Sequence, residues 1–579
     1  MKPNSTDDYD PVALEVIRNA IKSTAEEMGV TLTRTAYSTN IKDRKDLSCA
    51  VYSKNGELVA QAEHVPLHLG MMPSAVKAAL KEVDSLNPGD SIMHNDPYLS
   101  GSHLPDVMVF TPVFNNGERV GIVGNLAHHV DVGGSAPGST PPDATEIFQE
   151  GLRFPPVKIR KDGKVDPEIV DIFLNNLRTK EVSKGDLSAQ ISSNLRGKNN
   201  IVELAKKYGN NHLISNIDMI LDYSESRMRN SILEIENDVG AFRDYIEGDG
   251  ILSESTDIPI EVEVKISDDE IYVDFEGTAE ETEGPLNAVR PLTLSCVYFV
   301  TKAVVDPDLP TNDGAYRPIN VHTPEGTVVN ANFPAPTGIA NAITSQRIVD
   351  ALLGAFKEIV PERVMTASAG TMNGVTIGGE KPESGEFYTY VETYGGGQGA
   401  MHDLDGMDGV HTNMTNTRNA PVEVLENTYP FEIKQYGLVE NSAGSGKHRG
   451  GLGIIREILI RNDAQVTVGT DRNRHRPWGS YGGNDAQGTN ITLTHPDGTT
   501  TSLGTKQTLE VDAGSTFVFE TAGGGGWGDP LERPPEKVLE NVKDGYISKT
   551  IAEEEYGVVI TNSEVDYDAT KELRQQIQE

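Results

Sequence analysis

Residues 103–134 read HLPDVMVFTPVFNNGERVGIVGNLAHHVDVGG. The short apolar runs at 107–110 and 120–123 have the length and composition of buried strands. Chemistry-bearing side chains gather at their ends. His103 and Asp106 stand three residues apart in the loop before the first run, and His128, His129 and Asp131 follow the second. Two imidazoles and one or two carboxylates on loops beside buried strands match a Zn²⁺, Mn²⁺ or Fe²⁺ site with an open position. Ca²⁺ and Mg²⁺ would call for oxygen ligands alone. His128 and His129 are adjacent, so on an extended chain they point to opposite faces and only one is a direct ligand. His64, His68 and His94 fall in the same region, but with Pro66 and Asn95 beside them they read as structural groups.

Outward from this stretch the elements alternate. Upstream, Asp10-Pro11 has the form of a helix start, and Val12, Leu14, Val16, Ile17, Ile21 and Met28 recur at helical spacing. Residues 47–52 and 57–60 flank Asn55-Gly56 as a hairpin does, residues 74–83 form a short helix, and 91–93 form a strand. Downstream, 168–178, 184–208 and 212–245 read as long polar helices whose charge runs are solvated faces. Residues 258–265 and 271–275 alternate as a hairpin, and helices are expected near 292–305 and 343–359. The last third is short strands and glycine-rich turns, such as 465–469, 490–494 and 516–520. The expected class is α+β: a large multi-domain mixed protein with an N-terminal metal-bearing α/β part (1–165), a helical insertion (166–255), a central α/β region (256–430) and a β-rich C-terminal part (431–579).

The chain has 579 residues, room for about four domains at roughly 150 residues each. Its 50 Lys+Arg against 87 Asp+Glu leave a net charge of −37, which argues against nonspecific nucleic-acid binding and is compatible with a saline habitat. Only Cys49 and Cys296 are present, excluding a disulfide scaffold, a cysteine-based zinc site and an iron–sulfur cluster. The acidic N-terminus lacks a signal-peptide core, and the most apolar stretch, 291–301, is too short to span a bilayer. These features point to a cytoplasmic protein with no membrane partner. Gly446-Lys447 lacks the flanking glycine and hydroxyl of a phosphate-binding loop, and 395–399 lacks dinucleotide spacing. The glycine clusters read as turns or close backbone approaches, with a tunnel or subunit interface as the alternative. Arg418, Arg449, Arg472 and Arg474 are candidates for bidentate anion contacts or for ordinary ion pairs.

The motifs, taken in order, carry more. They are Asn40-Ile-Lys-Asp-Arg-Lys-Asp46, His64-Val-Pro-Leu-His-Leu-Gly70, Asn95-Asp-Pro-Tyr98, Ser102-His-Leu-Pro-Asp106 and Ala127-His-His-Val-Asp-Val-Gly-Gly134. Further on come Gly395-Gly-Gly-Gln-Gly-Ala400, His411-Thr-Asn-Met-Thr-Asn416, Asn419-Ala-Pro-Val-Glu423, His448-Arg-Gly-Gly-Leu-Gly453 and Gly524-Gly-Gly-Trp-Gly-Asp-Pro530. In this order the chain resembles the hydantoinase B/oxoprolinase family over nearly its whole length. The resemblance implies a B subunit of an ATP-dependent N-methylhydantoinase, 5-oxoprolinase or lactamase, with ATP bound by a hydantoinase A-type partner subunit that phosphorylates the carbonyl oxygen of a small cyclic amide. It implies one divalent transition metal on His103, Asp106 and His128, with Asp46 as fourth ligand and the nearby Asp43 as the alternative. Where the family commonly has Glu-Arg, this chain has Asp43-Arg44. The metal would lower the pKa of a bound water, with Asp131 or His129 as general base, and ring opening would yield an N-carbamoyl or ω-amino acid. A hetero-oligomer built on a B-subunit dimer is expected. Two other readings stand beside this one: a subunit of an acetone- or acetophenone-type ketone carboxylase, and a non-catalytic scaffold for the A partner.

Overall fold

A computed structural model describes residues 11–62, 64–99 and 101–579; the helix-start reading at Asp10 lies outside them. Helix α1 (Pro11–Thr35) buries Ile17, Ile21, Ala25, Met28 and Leu32, a stripe at helical spacing. Val12 and Val16, counted in that pattern from sequence, instead face solvent. A single turn, α2 (Thr39–Lys42), leads into the first sheet.

That sheet holds β1 (Leu47–Tyr52), β2 (Leu58–Ala62), β3 (Ser91–His94), β4 (Asp106–Asn115), β5 (Glu118–His128), β6 (Val157–Lys161) and β7 (Lys164–Val165) in the order β2-β1-β5-β4-β3-β6-β7, every neighbour antiparallel. The β1–β2 hairpin forms as its turn signal requires. β4 and β5 are buried on both faces, which explains their near-continuous apolar runs. Met108 and Phe110 join the core beneath α3 (His68–Glu82), whereas Val107 and Val109 join a second core with Phe173 and Leu187. This is the period-2 division of a strand.

On the second face lie α4 (Pro167–Asn175), α5 (Lys180–Tyr208) and α6 (Asn210–Ile232). Here the structure corrects the expected helix over 212–245: α6 stops at Ile232, and β8 (Val239–Glu247) follows. β8 pairs along its whole length with β9 (Asp257–Ser267), which pairs with β10 (Glu270–Asp274). Tertiary packing decides the change, because a Cβ on Gly240 would lie 2.1 Å from the Ala355 carbonyl oxygen. The strand thus runs directly against a helix backbone. After α7 (Arg290–Val305) and α8 (Asp313–Tyr316), β11 (Ile319–His322) completes this sheet beside β10, and α9 (Thr344–Ile359) packs against β8 and β9.

The C-terminal part is two facing sheets. One contains β12 (Gly374–Glu380), β13 (Phe387–Thr393), β16 (Ala464–Gly469) and β19 (Lys506–Val511). The other contains β14 (Phe431–Leu438), β15 (Ile454–Ile460), β17 (Asn490–Thr494), β18 (Thr500–Ser502) and β20 (Thr516–Glu520). They share a core of Ile377, Tyr390, Phe431, Ile458, Val466 and Phe517. Strand pairing therefore runs across positions 255 and 430, joining β8 to β9 and β12 to β16. Helices at Pro535–Lys543, Lys549–Glu554 and Tyr567–Gln578 close the chain. Both cysteines are buried and free, and among the described residues no helix is long and apolar enough to cross a membrane.

Candidate metal centre

Antiparallel pairing places Asp106, the first residue of β4, directly opposite His128, the last residue of β5, so both side chains leave the same face of the sheet. His103 is brought back over Asp106 by the tight turn that precedes β4, and its Nδ1 lies 3.1 Å from Asp106 Oδ2. The His103 and His128 rings stand 4.9 Å apart between centroids. Ser102 Oγ donates to Asp106 Oδ2 at 2.6 Å. The backbone N–H of His128 donates to the carbonyl of Asp46 at 3.1 Å, which ties the residues just before β1 to the end of β5.

Asp46, His103, Asp106 and His128 line a small cavity of about 40 Å³, together with Arg44, His68, Asn341, Met372, Val391 and three threonines. That volume accommodates an ion with a few waters. Asp46 is in the lining, whereas Asp43 closes helix α2 through its backbone N–H and is not. Around the rim, Asn40 Nδ2 lies 3.0 Å from His128 Nδ1, and Arg44 reaches both Asn40 Oδ1 and the β13 backbone. Asn341 Nδ2 lies 3.3 Å from His103 Nε2.

Burial pushes the pKa of His128 down to about 4, against the pull of Asp46. It lowers His68 as well, opposed by Asp106 and Asp46. For Asp106 burial acts in the raising direction, but the charge and hydrogen bond of His103 and the nearby His68 and His128 outweigh it and hold the carboxyl well below its usual range. Imidazoles kept from protonation, as burial favours for His68 and His128, beside an ionised carboxylate are what a divalent cation needs.

The donor set fits a transition metal, and one more atom supports this. His68 is buried with Nδ1 tied to Ser48 Oγ at 2.8 Å, yet its Nε2 has no hydrogen-bond partner among the described residues. His68, read from sequence as a structural group, lines the cavity in the fold. A tighter triad, Asp274, Glu276 and His322, has donor atoms within 4.8 Å of one another, but its Glu276 and His322 are solvent-exposed. Exposed carboxylates of that kind are ordinarily just hydrated.

The two residues expected to act as general base are elsewhere. His129 leaves the opposite face, as strand alternation requires, with Nε2 3.0 Å from Gln190 Oε1 and its ring edge-on to Phe173. Asp131 accepts from the Gly133 and Gly138 N–H groups and from Arg178 Nη1 at 2.9 Å, so its lone pairs organise a loop. Neither lines the cavity.

The hydantoinase B/oxoprolinase family model matches residues 10–530. The chain belongs to the hydantoinase B/oxoprolinase family. It is 34% identical over 586 residues to the B subunit of a putative D-/L-hydantoinase of a Pseudomonas species, covering 98% of each chain. It is 36% identical over 544 residues to 5-oxoprolinase 1 of Arabidopsis thaliana, matching 90% of this chain but only 42% of that longer protein. The crystal structure of an ATP-dependent caprolactamase from Pseudomonas jessenii superposes with a TM-score of 0.91 at 30% identity, over 98% of this chain and all of that one.

Other motifs of this family member are architectural. The glycine segments interlock by backbone contact: a Cβ on Gly397 would lie 2.0 Å from Gly451 O, and one on Gly524 2.0 Å from Gln398 O. Residues 444–449 run on to strand β15 rather than to a helix, and Lys447 pairs with Glu532 at 3.2 Å. Arg449 is held bidentately by Asp408 at 2.7 and 2.9 Å, Arg474 is held by Asp257, and Arg472 by Asp244 and Asp350.

Proposed function

We propose that this chain is the metal-bearing B subunit of an ATP-dependent cyclic amidohydrolase, acting on a hydantoin, 5-oxoproline or lactam ring whose carbonyl oxygen an A-type partner phosphorylates. The observation that carries this reading is the small cavity whose lining brings together Asp46, His68, His103, Asp106 and His128. Family membership and the likeness to a caprolactamase support the substrate class.

A bound Zn²⁺, Mn²⁺ or Fe²⁺ would supply Lewis-acid chemistry and a more acidic water at neutral pH. The chain's own groups do the rest. Asp46, His103, Asp106 and His128 would hold the ion, with Ser102 and Asn40 fixing the orientation of Asp106 and His128. His68, anchored through Nδ1, presents Nε2 as the proton-handling atom in place of His129 and Asp131. Val65, Leu67, Met372 and Val391 keep bulk water from the activated carbon. A ring needs more room than the inner cavity offers. A cleft of about 470 Å³ runs along the neighbouring residues Ser38, Thr39 and 387–389, with Arg178, Lys180, Lys381, Glu181 and Glu386 in its walls, and it has room for such a ring.

The test is elemental analysis and ATP-dependent ring opening by the chain assembled with its A partner, in wild type, His103→Ala and His128→Ala. About one transition metal per chain, lost together with turnover in both variants while the circular dichroism spectrum is retained, is the expected result. Undiminished turnover after chelation would overturn it. Consumption of a ketone with bicarbonate, in place of a ring amide, would replace the hydrolase with the carboxylase.

A further inference from the structure

Residues on either side of Pro66 border two cavities. Val65, Leu67 and His68 face the metal centre, whereas Gln61, Ala62 and His64 line a second cavity of about 550 Å³. Its other walls include α1, with Arg18, Lys22 and the acidic Glu26, Ile220 of α6, and the end of α7 with the loop after it, including Lys302, Asp308 and Thr311. The volume lies in the range of small-molecule sites.

Gln61 is 5% exposed, yet neither its Nε2 nor its Oε1 has a hydrogen-bond partner among the described residues. Arg18 Nε, in the same lining, is also buried without a partner, although its Nη2 is held by Glu15 at 2.6 Å. Native proteins leave few buried polar atoms unpaired, and here three such atoms belong to two residues that line one space. They comprise an amide donor, an amide acceptor and a guanidinium N–H. Lys22 adds positive charge, while Lys302 is engaged with Thr311 Oγ1 at 2.7 Å.

We propose that this second cavity binds a small carboxylate that also presents an amide C=O and N–H along one edge. The ligand's N–H donates to Gln61 Oε1, its C=O accepts from Gln61 Nε2, and its carboxylate accepts from Arg18 Nε. Geometry makes this selective. A ring amide is locked cis, so its C=O and N–H share an edge. A primary carbamoyl group presents the same edge. An open-chain secondary amide is trans and turns the two groups to opposite sides, so Gln61 cannot engage both. The inference rests on the proposed function, because the shared edge has two sources in that chemistry: the unopened ring acid and the ring-opened N-carbamoyl acid.

Calorimetric titration of the purified full-length chain, without ATP or partner, tests it. The probes are 5-oxoproline for the ring, N-carbamoylglycine for the opened form, and N-methyl-5-oxoproline, which lacks the N–H. Binding of either of the first two to wild type and to His103→Ala alike, weakened about tenfold or more in Gln61→Leu, is expected; whichever probe binds more tightly identifies the source. N-methyl-5-oxoproline should bind wild type correspondingly worse than 5-oxoproline, so the proposal stays testable if Gln61→Leu does not fold. Absence of binding by both probes, equal affinity in Gln61→Leu, or binding lost in His103→Ala would overturn it. The last outcome would move the ligand to the metal centre, and the first would leave Gln61 to ordered water. Binding is read without turnover, so failure of this site and failure of the hydrolase reading are separately visible.

Discussion

His68 and Glu150 show how burial assigns work to single side chains. His68 carries a lone imidazole nitrogen into the cavity with its other nitrogen anchored on Ser48. On the proposed function, replacing it with alanine is expected to cut ring-opening turnover by roughly 10²- to 10⁴-fold while elemental analysis still finds the metal, since the four proposed ligands are untouched. Glu150 is wholly buried, accepting from the Gly338 N–H at 2.7 Å, and burial raises its pKa from 4.5 to about 8 despite that bond. The folded state thus keeps a proton that the unfolded chain releases above pH 4.5. The stabilisation is complete below that pH and is lost as pH rises through about 8, at roughly 1.4 kcal/mol per pH unit. Glu150→Gln removes the titration, so thermal melts should show the variant gaining on wild type steadily between pH 5 and pH 8. At this scale the sequence marked His103, Asp106 and His128 as candidates through their placement at strand ends, and the fold sets all three in one cavity lining. It did not single out His68, because a histidine at the first position of a helix, two residues after a proline, carries no signal until the fold places its ring. His129 and Asp131, expected as the general base, do not line that cavity: strand alternation turns His129 to the opposite face and Asp131 pairs with Arg178.

Among the elements, β4 and β5 were readable because two-sided burial makes each strand almost uniformly apolar, and the helices 292–305 and 343–359 because their apolar spacing is local. β8 was not. Its residues extend the polar pattern of α6, and only the β9 edge and the backbone of α9 convert them to a strand. The glycine clusters followed a similar course: turns were a fair expectation, but most of these glycines answer to backbones passing within side-chain distance. A substitution test separates the two causes. Gly397→Ala puts a methyl 2.0 Å from Gly451 O and 2.3 Å from Gly524 N, both backbone atoms. Gly124→Ala instead meets the Phe110 ring at 2.4 Å. Overpacking against a ring should cost about 1–3 kcal/mol, and Gly397→Ala should cost more, because two backbones would have to separate. Denaturant midpoints of the two variants check the order.

Across the whole molecule, the central and C-terminal sheets are pinned by buried charges. Arg347 on α9 reaches Asp244 on β8 at 3.1 Å and Asp471 beyond β16 at 2.7 Å. Arg472 joins Asp244 and Asp350, and Lys506 on β19 returns to Asp471 at 2.9 Å. Burial raises the pKa of Asp350, and the arginines oppose the shift. Asp471→Ala would leave two buried cations without this partner and should cost about 3–5 kcal/mol, whereas breaking the exposed Glu203–Lys206 pair should change stability by less than about 1 kcal/mol; chemical denaturation of both variants measures the contrast. The sequence alone determined the mixed α+β class, the strand and helix positions with local periodicity, the family, and three clustered metal-ligand candidates. These follow from burial patterns and motifs written within a few residues of one another. Tertiary structure decided which imidazole faces the cavity, which space Gln61 and Arg18 share, and how charges more than a hundred residues apart neutralise each other. Those outcomes depend on which surfaces come into contact, and contact between distant segments leaves no periodic trace in the chain.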